Sequence, residues 1–193
     1  MAVALAAVVS LAEAGPLEAG AGKGAGVVRL RDAAGRMGEP LGERGQRATL
    51  LFFLTTECPM GNAYAPEIGR IAREYAARGV RCFAVYAQEK PEEIAQHLQA
   101  YGLPMVGLQD PEMQLALRTG ARVAPEACLL SPGGEVRYRG RIDDRAVKLG
   151  KVRLEPRVRD LRDALEAVLG GRPVAQPITP AIGCYLVFPT KSR

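Results

Sequence analysis

Apolar positions along the chain recur with two different periods. Residues 49–54 (TLLFFL) and 80–86 (VRCFAVY) are nearly continuous apolar runs of strand length, which predicts central strands covered on both faces. Between them Ile68, Ile71, Ala72 and Tyr75 fall on one face of a helical pattern that runs to Arg78. Pro59 suits the first helical position, where its missing N–H has no intrahelical partner to lose. Ile94, Leu98 and Tyr101 mark a second helix over 91–101, and 105–108 is a brief strand. Asp110 is a natural N-cap for a third helix reaching Arg118. Residues 126–141, turning at Pro132-Gly133-Gly134, read as a β-hairpin, and Leu161, Leu165 and Val168 line the inner face of a closing helix over 158–169. A short strand at 27–30 precedes all of these. The order predicts an α/β domain with a central mixed sheet flanked by helices and an N-terminal strand extension.

The domain occupies about 26–169 of the 193 residues. Residues 2–12 (AVALAAVVSLA), followed by Ala12-Glu13-Ala14, read as a signal peptide ending near residue 14, although the usual basic start is missing. That predicts export to an extracytoplasmic compartment, with a buried N-terminal helix in a cytoplasmic protein as the alternative. Residues 15–25 are a Gly/Ala-rich linker and residues 170–193 a Pro-rich tail. No apolar run approaches the roughly 20 residues of a spanning helix, so an integral membrane span is not expected.

Charge adds little. The net charge is +5, and residues 137–162 alone hold ten Lys/Arg against four acids. Arg137, Arg139 and Arg141 alternate at period two, which predicts one solvated face of a strand. No zinc-finger, helix-turn-helix or RNA-binding signature accompanies them, and no nucleic-acid partner is expected.

The candidate chemistry lies in the cysteines at 58, 82, 128 and 184, which form no Cys-x-x-Cys pair able to build a zinc knuckle. Cys58 follows a buried strand and precedes Pro59, so it stands at a strand-to-helix junction. A helix N-terminus offers partial positive charge and unpaired N–H groups, the setting that favours a thiolate. Cys82 and Cys128 fall within apolar strands and read as core. Cys184 lies in the tail, where no core accounts for it; the segment from Gly170 spans up to about 45 Å at ~3.3 Å per residue, enough to reach across a small domain.

These residues carry a resemblance. The apolar strand followed by Thr55-Thr56-Glu57-Cys58-Pro59-Met60-Gly61-Asn62, the later Asp110-Pro111, the Val123-Ala124-Pro125-Glu126 step and the Gly133-Gly134 hairpin resemble a redoxin domain of the thioredoxin-like superfamily, which includes peroxiredoxins and thiol-disulfide oxidoreductases. The resemblance implies a thioredoxin-like fold, with Cys58 as the peroxidatic or attacking cysteine and Pro125 as the cis-proline facing it. It implies a peroxide or protein disulfide as substrate, an external thiol or dithiol as reductant, and no cofactor.

Two departures matter. Gly61 stands where Cys-x-x-Cys would need its second thiol. Thr55 matches the threonine of the peroxiredoxin motif Pro-x-x-x-Thr-x-x-Cys, but Leu51 stands where that motif has proline. Thr55 is therefore either a hydroxyl partner of the thiolate or an ordinary β-branched strand residue. Arg122 is a candidate for polarising a peroxide, yet no spacing fixes it. The product of attack, a sulfenic acid or mixed disulfide, needs a second thiol, and Cys184 is the candidate. His97, the only histidine, is expected at a surface or boundary position. Asn62 and Tyr64 read equally as pocket or helix-surface residues. Two other classes fit the same fold: a non-catalytic interaction module, and a copper metallochaperone. The latter would need a Cys-x-x-x-Cys pair, and Asn62 occupies the second position of that pair.

Overall fold

The computed structural model describes residues 27–41 and 45–189. The leader and linker expected at 1–14 and 15–25 lie outside the described residues. The elements in chain order are β1 (Leu30–Asp32), β2 (Met37–Gly38), β3 (Ala48–Phe53), α1 (Pro59–Ala76), β4 (Val80–Tyr86), α2 (Pro91–Ala100), β5 (Val106–Gln109) and α3 (Gln114–Thr119). They continue with β6 (Val123–Ala124), β7 (Glu126–Leu130), β8 (Val136–Gly140), β9 (Ala146–Lys148), β10 (Lys151–Val152), α4 (Asp160–Leu169) and β11 (Cys184–Tyr185).

Seven strands form the main sheet in the order β2-β1-β5-β4-β3-β7-β8. β3, β4 and β5 run parallel, each joined to the next by a helix, while β7 and β8 add an antiparallel hairpin and β1 pairs antiparallel with β5 at the other side. The central position of β3 follows from its sequence, because both alternating sets of its side chains are apolar. Leu50 and Phe52 join a core with Ile68, Ile71, Ile94 and Leu165, so α1, α2 and α4 contribute to one cluster. Leu51 and Phe53 face a second cluster with Phe83, Val85, Leu115 and Leu130, to which α3 contributes. Each such side chain stabilises the fold by about 1.5–3 kcal/mol on burial.

The architecture matches the expected mixed sheet with an N-terminal strand extension. Several boundaries differ. The opening strand starts at Leu30 rather than Val27, and α3 starts at Gln114 rather than at Asp110. Met113, not Asp110, takes the N-cap position, while the Asp110 carboxylate accepts the first-turn amides of Gln114, Leu115 and Ala116 from three residues before it. The arginines at 137, 139 and 141 are not simply a solvated face. Arg139 donates to the Gly120 carbonyl and Arg141 pairs with the buried Asp160, because two further layers, α4 and the tail, cover that part of β8.

The tail is ordered across the domain. Its Pro177 carbonyl and Thr179 amide bond both main-chain groups of Arg139, sealing the free edge of β8. The Thr179 hydroxyl also meets the buried Tyr138 hydroxyl at 2.6 Å and accepts the Arg141 amide at 3.2 Å. From there the chain continues to β11, which pairs antiparallel with β6 so that Cys184 is opposite Ala124 and Tyr185 opposite Val123. Leu186 is buried in the second core cluster, and its amide bonds the Arg122 carbonyl.

Candidate active site

Cys58 is the N-cap of α1. Its backbone is extended (φ −77°, ψ 109°), Pro59 follows it into the helix, and the amide of Gly61 donates to its Sγ at 3.5 Å. This is the N-terminal anion position of a helix with a sulfur in the capping role. The donor at position 61 is a main-chain N–H, which any residue but proline would present to the sulfur three residues earlier. An N-cap reading of Cys58 is the sequence signal that finds it.

The peptide bond between Ala124 and Pro125 is cis and separates β6 from β7. Cys58 Sγ lies 3.1 Å from the Ala124 carbonyl oxygen, so the cysteine and the residue preceding the cis-proline face each other. On β11, opposite Ala124, sits Cys184, whose Sγ is 2.9 Å from Cys58 Sγ. The proton assignment is self-consistent: the Cys58 thiol donates to the Ala124 carbonyl, and the Cys184 thiol donates to Cys58 Sγ. Once Cys58 loses its proton, its sulfur still receives the Cys184 S–H and the Gly61 N–H. The hydrogen bond to Cys58, with burial second, pushes the Cys184 thiol up to about 11, which favours its protonated form.

Access is unequal. Cys58 is only 1% exposed, beneath the tail, whereas Cys184 is half-buried. Gly183 allows the tail to come so near, because a Cβ there would collide with the Ala124 carbonyl. Cys128 is buried in β7 and burial pushes its thiol well above the usual range, while burial raises Cys82 to about 12.

The other candidates divide. The Thr55 carbonyl accepts the Cys58 amide at 3.4 Å, and its hydroxyl has no hydrogen-bond partner among the described residues. Arg122 directs its guanidinium over the Phe188 ring at 5.1 Å to the centroid, holding the end of the tail. Tyr64 is buried and donates to Asp143 Oδ1 at 2.8 Å. His97 is neither surface nor boundary: it is 6% exposed and hydrogen-bonded through both ring nitrogens, to Tyr86 and Asn62. Its place beside the apolar stripe of α2 brings it over β4, where a tyrosine and an asparagine from other elements satisfy it.

The redoxin family model matches residues 41–150, more than half of the chain, and the chain belongs to that family. Its fold is thioredoxin-like. A hypothetical protein from Sinorhizobium meliloti is similar in structure (TM-score 0.72, 27% identity, 84% of this chain and 91% of that one covered). So is an uncharacterized conserved protein from Geobacillus kaustophilus (TM-score 0.73, 24% identity, coverage 86% and 92%). A secreted disulfide oxidoreductase of Mycobacterium tuberculosis, described as homologous to E. coli DsbE, shares the fold at 16% identity (TM-score 0.51, coverage 75% and 96%). Among curated proteins, none matches the chain.

Proposed function

We propose that this redoxin is a thiol-dependent redox enzyme in which Cys58 is the attacking cysteine and Cys184 resolves it. The observation that carries the reading is the 2.9 Å separation of the two sulfurs beside the cis-proline. The Cys58 thiolate attacks the terminal oxygen of a hydroperoxide, giving Cys58 sulfenic acid and an alkoxide that takes up a proton as alcohol. The Cys184 sulfur then attacks the sulfenic sulfur, forming a Cys58–Cys184 disulfide and releasing water. With a disulfide as oxidant, Cys58 forms a mixed disulfide and expels one thiolate, and Cys184 displaces the second. An external dithiol returns the pair to the reduced state and is itself oxidised. The 1% exposure of Cys58 favours the smaller oxidant, a hydroperoxide, over a folded protein disulfide.

We place this chemistry outside the cytoplasm, on the apolar leader at 2–12 and on the secreted oxidoreductase that shares the fold. The test is turnover of hydroperoxide and of a small disulfide, with dithiothreitol as reductant, in wild type and Cys58→Ser. Loss of both activities in the variant supports the reading; equal rates in the two proteins defeat it.

A further inference from the structure

A chain of polar side chains, buried at Tyr86 and His97 and half-buried at Asn62, runs from the middle of the sheet to Thr56, two residues before Cys58. The Tyr86 hydroxyl on β4 lies 2.8 Å from His97 Nδ1 on α2, and His97 Nε2 lies 2.8 Å from Asn62 Oδ1 on α1. Asn62 Nδ2 in turn donates to the Thr56 carbonyl at 3.1 Å, while the Thr56 amide donates to Glu89 Oε1, also at 3.1 Å. Both peptide groups of Thr56 are therefore tethered, one from α1 and the other from the turn that precedes α2.

Each proton along this chain is determined by its neighbour. The Thr56 carbonyl only accepts, so Asn62 presents its NH₂ there and its oxygen to His97. His97 must then carry its proton on Nε2, which leaves Nδ1 to accept from the Tyr86 hydroxyl. Burial acts in the same sense, lowering His97 toward its neutral form and holding Tyr86 protonated. The rings of Tyr86 and Tyr101 cover the imidazole, with centroids 5.7 and 4.8 Å away. A buried chain of this kind is costly when half satisfied and rigid when complete. Here it is complete, and its free end is the loop that carries the thiol.

The geometry points to His97 and Asn62 as positioning residues that hold the Thr55–Cys58 loop so that Cys58 Sγ meets Cys184 Sγ. The inference rests on the Cys58–Cys184 chemistry proposed above and goes beyond it by giving work to the only histidine and to Asn62. The loop joins β3 to α1, and the sulfur–sulfur contact depends on where this loop and the tail strand place the two cysteines. Removing the tether lets the loop relax, and displacement on the ångström scale reduces the effective concentration of one thiol toward the other by roughly tenfold or more.

The equilibrium between the Cys58–Cys184 disulfide and the dithiol, measured in the full chain against oxidised and reduced dithiothreitol, tests this. It reads the effective concentration of the two thiols rather than fold stability, and melting curves are taken on the same samples. His97→Leu, which removes both hydrogen bonds, is expected to shift the equilibrium toward the dithiol by about tenfold, whereas His97→Gln, able to donate to Asn62 and accept from Tyr86, stays within about threefold of wild type. Tyr86→Phe keeps the ring and the core volume and is expected to shift it by about threefold; it decides the matter if His97→Leu does not fold. Wild-type equilibria in folded His97→Leu and Tyr86→Phe, or a His97→Gln as impaired as His97→Leu, overturn the positioning role and leave the Cys58–Cys184 chemistry standing. A wild-type chain that forms no bridge overturns that chemistry and this inference with it.

Discussion

Cys58 and Cys184 are separated by 126 positions in sequence, yet their sulfurs lie 2.9 Å apart. The approach is made by β11, a two-residue strand that borrows the free edge of β6. The second thiol thus reaches the first through a tail laid over the site, without the neighbouring position on the same helix turn that a Cys-x-x-Cys pair would use.

Replacing Cys184 with serine leaves oxidised Cys58 without an intramolecular partner. Steady-state peroxide turnover at millimolar reductant is expected to fall by about 100-fold or more, because resolution becomes bimolecular. Cys58 sulfenic acid should accumulate and be trapped by a dimedone-type reagent. Wild-type turnover in this variant would assign resolution to another thiol.

Gly183→Val introduces a side chain against the Ala124 carbonyl. Overpacking of about 1–3 kcal/mol would raise the detached population of the tail roughly 5- to 150-fold. Alkylation of Cys58 by iodoacetamide should accelerate, and bridge formation should slow. A variant with unchanged alkylation kinetics would place the tail's hold elsewhere, for instance at Thr179 and Leu186.

With both thiols free the two sulfurs are unequally accessible, Cys58 being 1% exposed and Cys184 half-buried, and the bridge is expected to keep that inequality. A monothiol reductant is expected to form its mixed disulfide at Cys184, leaving Cys58 to depart as a thiolate facing the Gly61 amide. Peptide mapping after an acid quench reads the position directly; an adduct on Cys58 is the contrary result. In the same maps Cys128 and Cys82 should react slowly, because burial raises both thiols.

Acid stability has a contributor far from the thiols. Glu166 accepts hydrogen bonds from Arg78 and Tyr75, with Arg78 the larger influence, and its carboxyl is lowered from 4.5 to about 2. A depressed folded-state pKa means that stability present above about 4.5 is lost as pH falls toward about 2. Glu166→Gln should flatten this part of the Tm-against-pH curve, and added salt should narrow the difference, since the pair is partly exposed. Parallel wild-type and variant curves would remove Glu166 from the account.

Much of the scaffold was legible because it rests on local patterns. The TLLFFL run, Pro59 at a helix start and the Gly133-Gly134 turn each specify their element with little help from the rest of the chain. Cys58 at the helix mouth followed from the same logic, as did the parallel pair and the hairpin. What stayed hidden depends on distant partners. β11 is two residues long in a Pro-rich segment and exists only because β6 has an open edge, so no periodicity announces it. His97 looks like a boundary residue until Asn62 and Tyr86 arrive from α1 and β4. Arg139 and Arg141 look solvated until the tail and α4 cover them. Thr55 matched a motif, but the contact it makes with Cys58 is through its main-chain carbonyl.

The most direct measurement is mass mapping of the four cysteines under non-reducing conditions after one equivalent of hydrogen peroxide is added to the fully reduced chain. The account predicts loss of two hydrogens and a single cross-linked peptide joining Cys58 to Cys184, with Cys82 and Cys128 still free. Cys58 carried on to sulfinic acid while Cys184 remains a thiol, or peroxide left unconsumed, would contradict it.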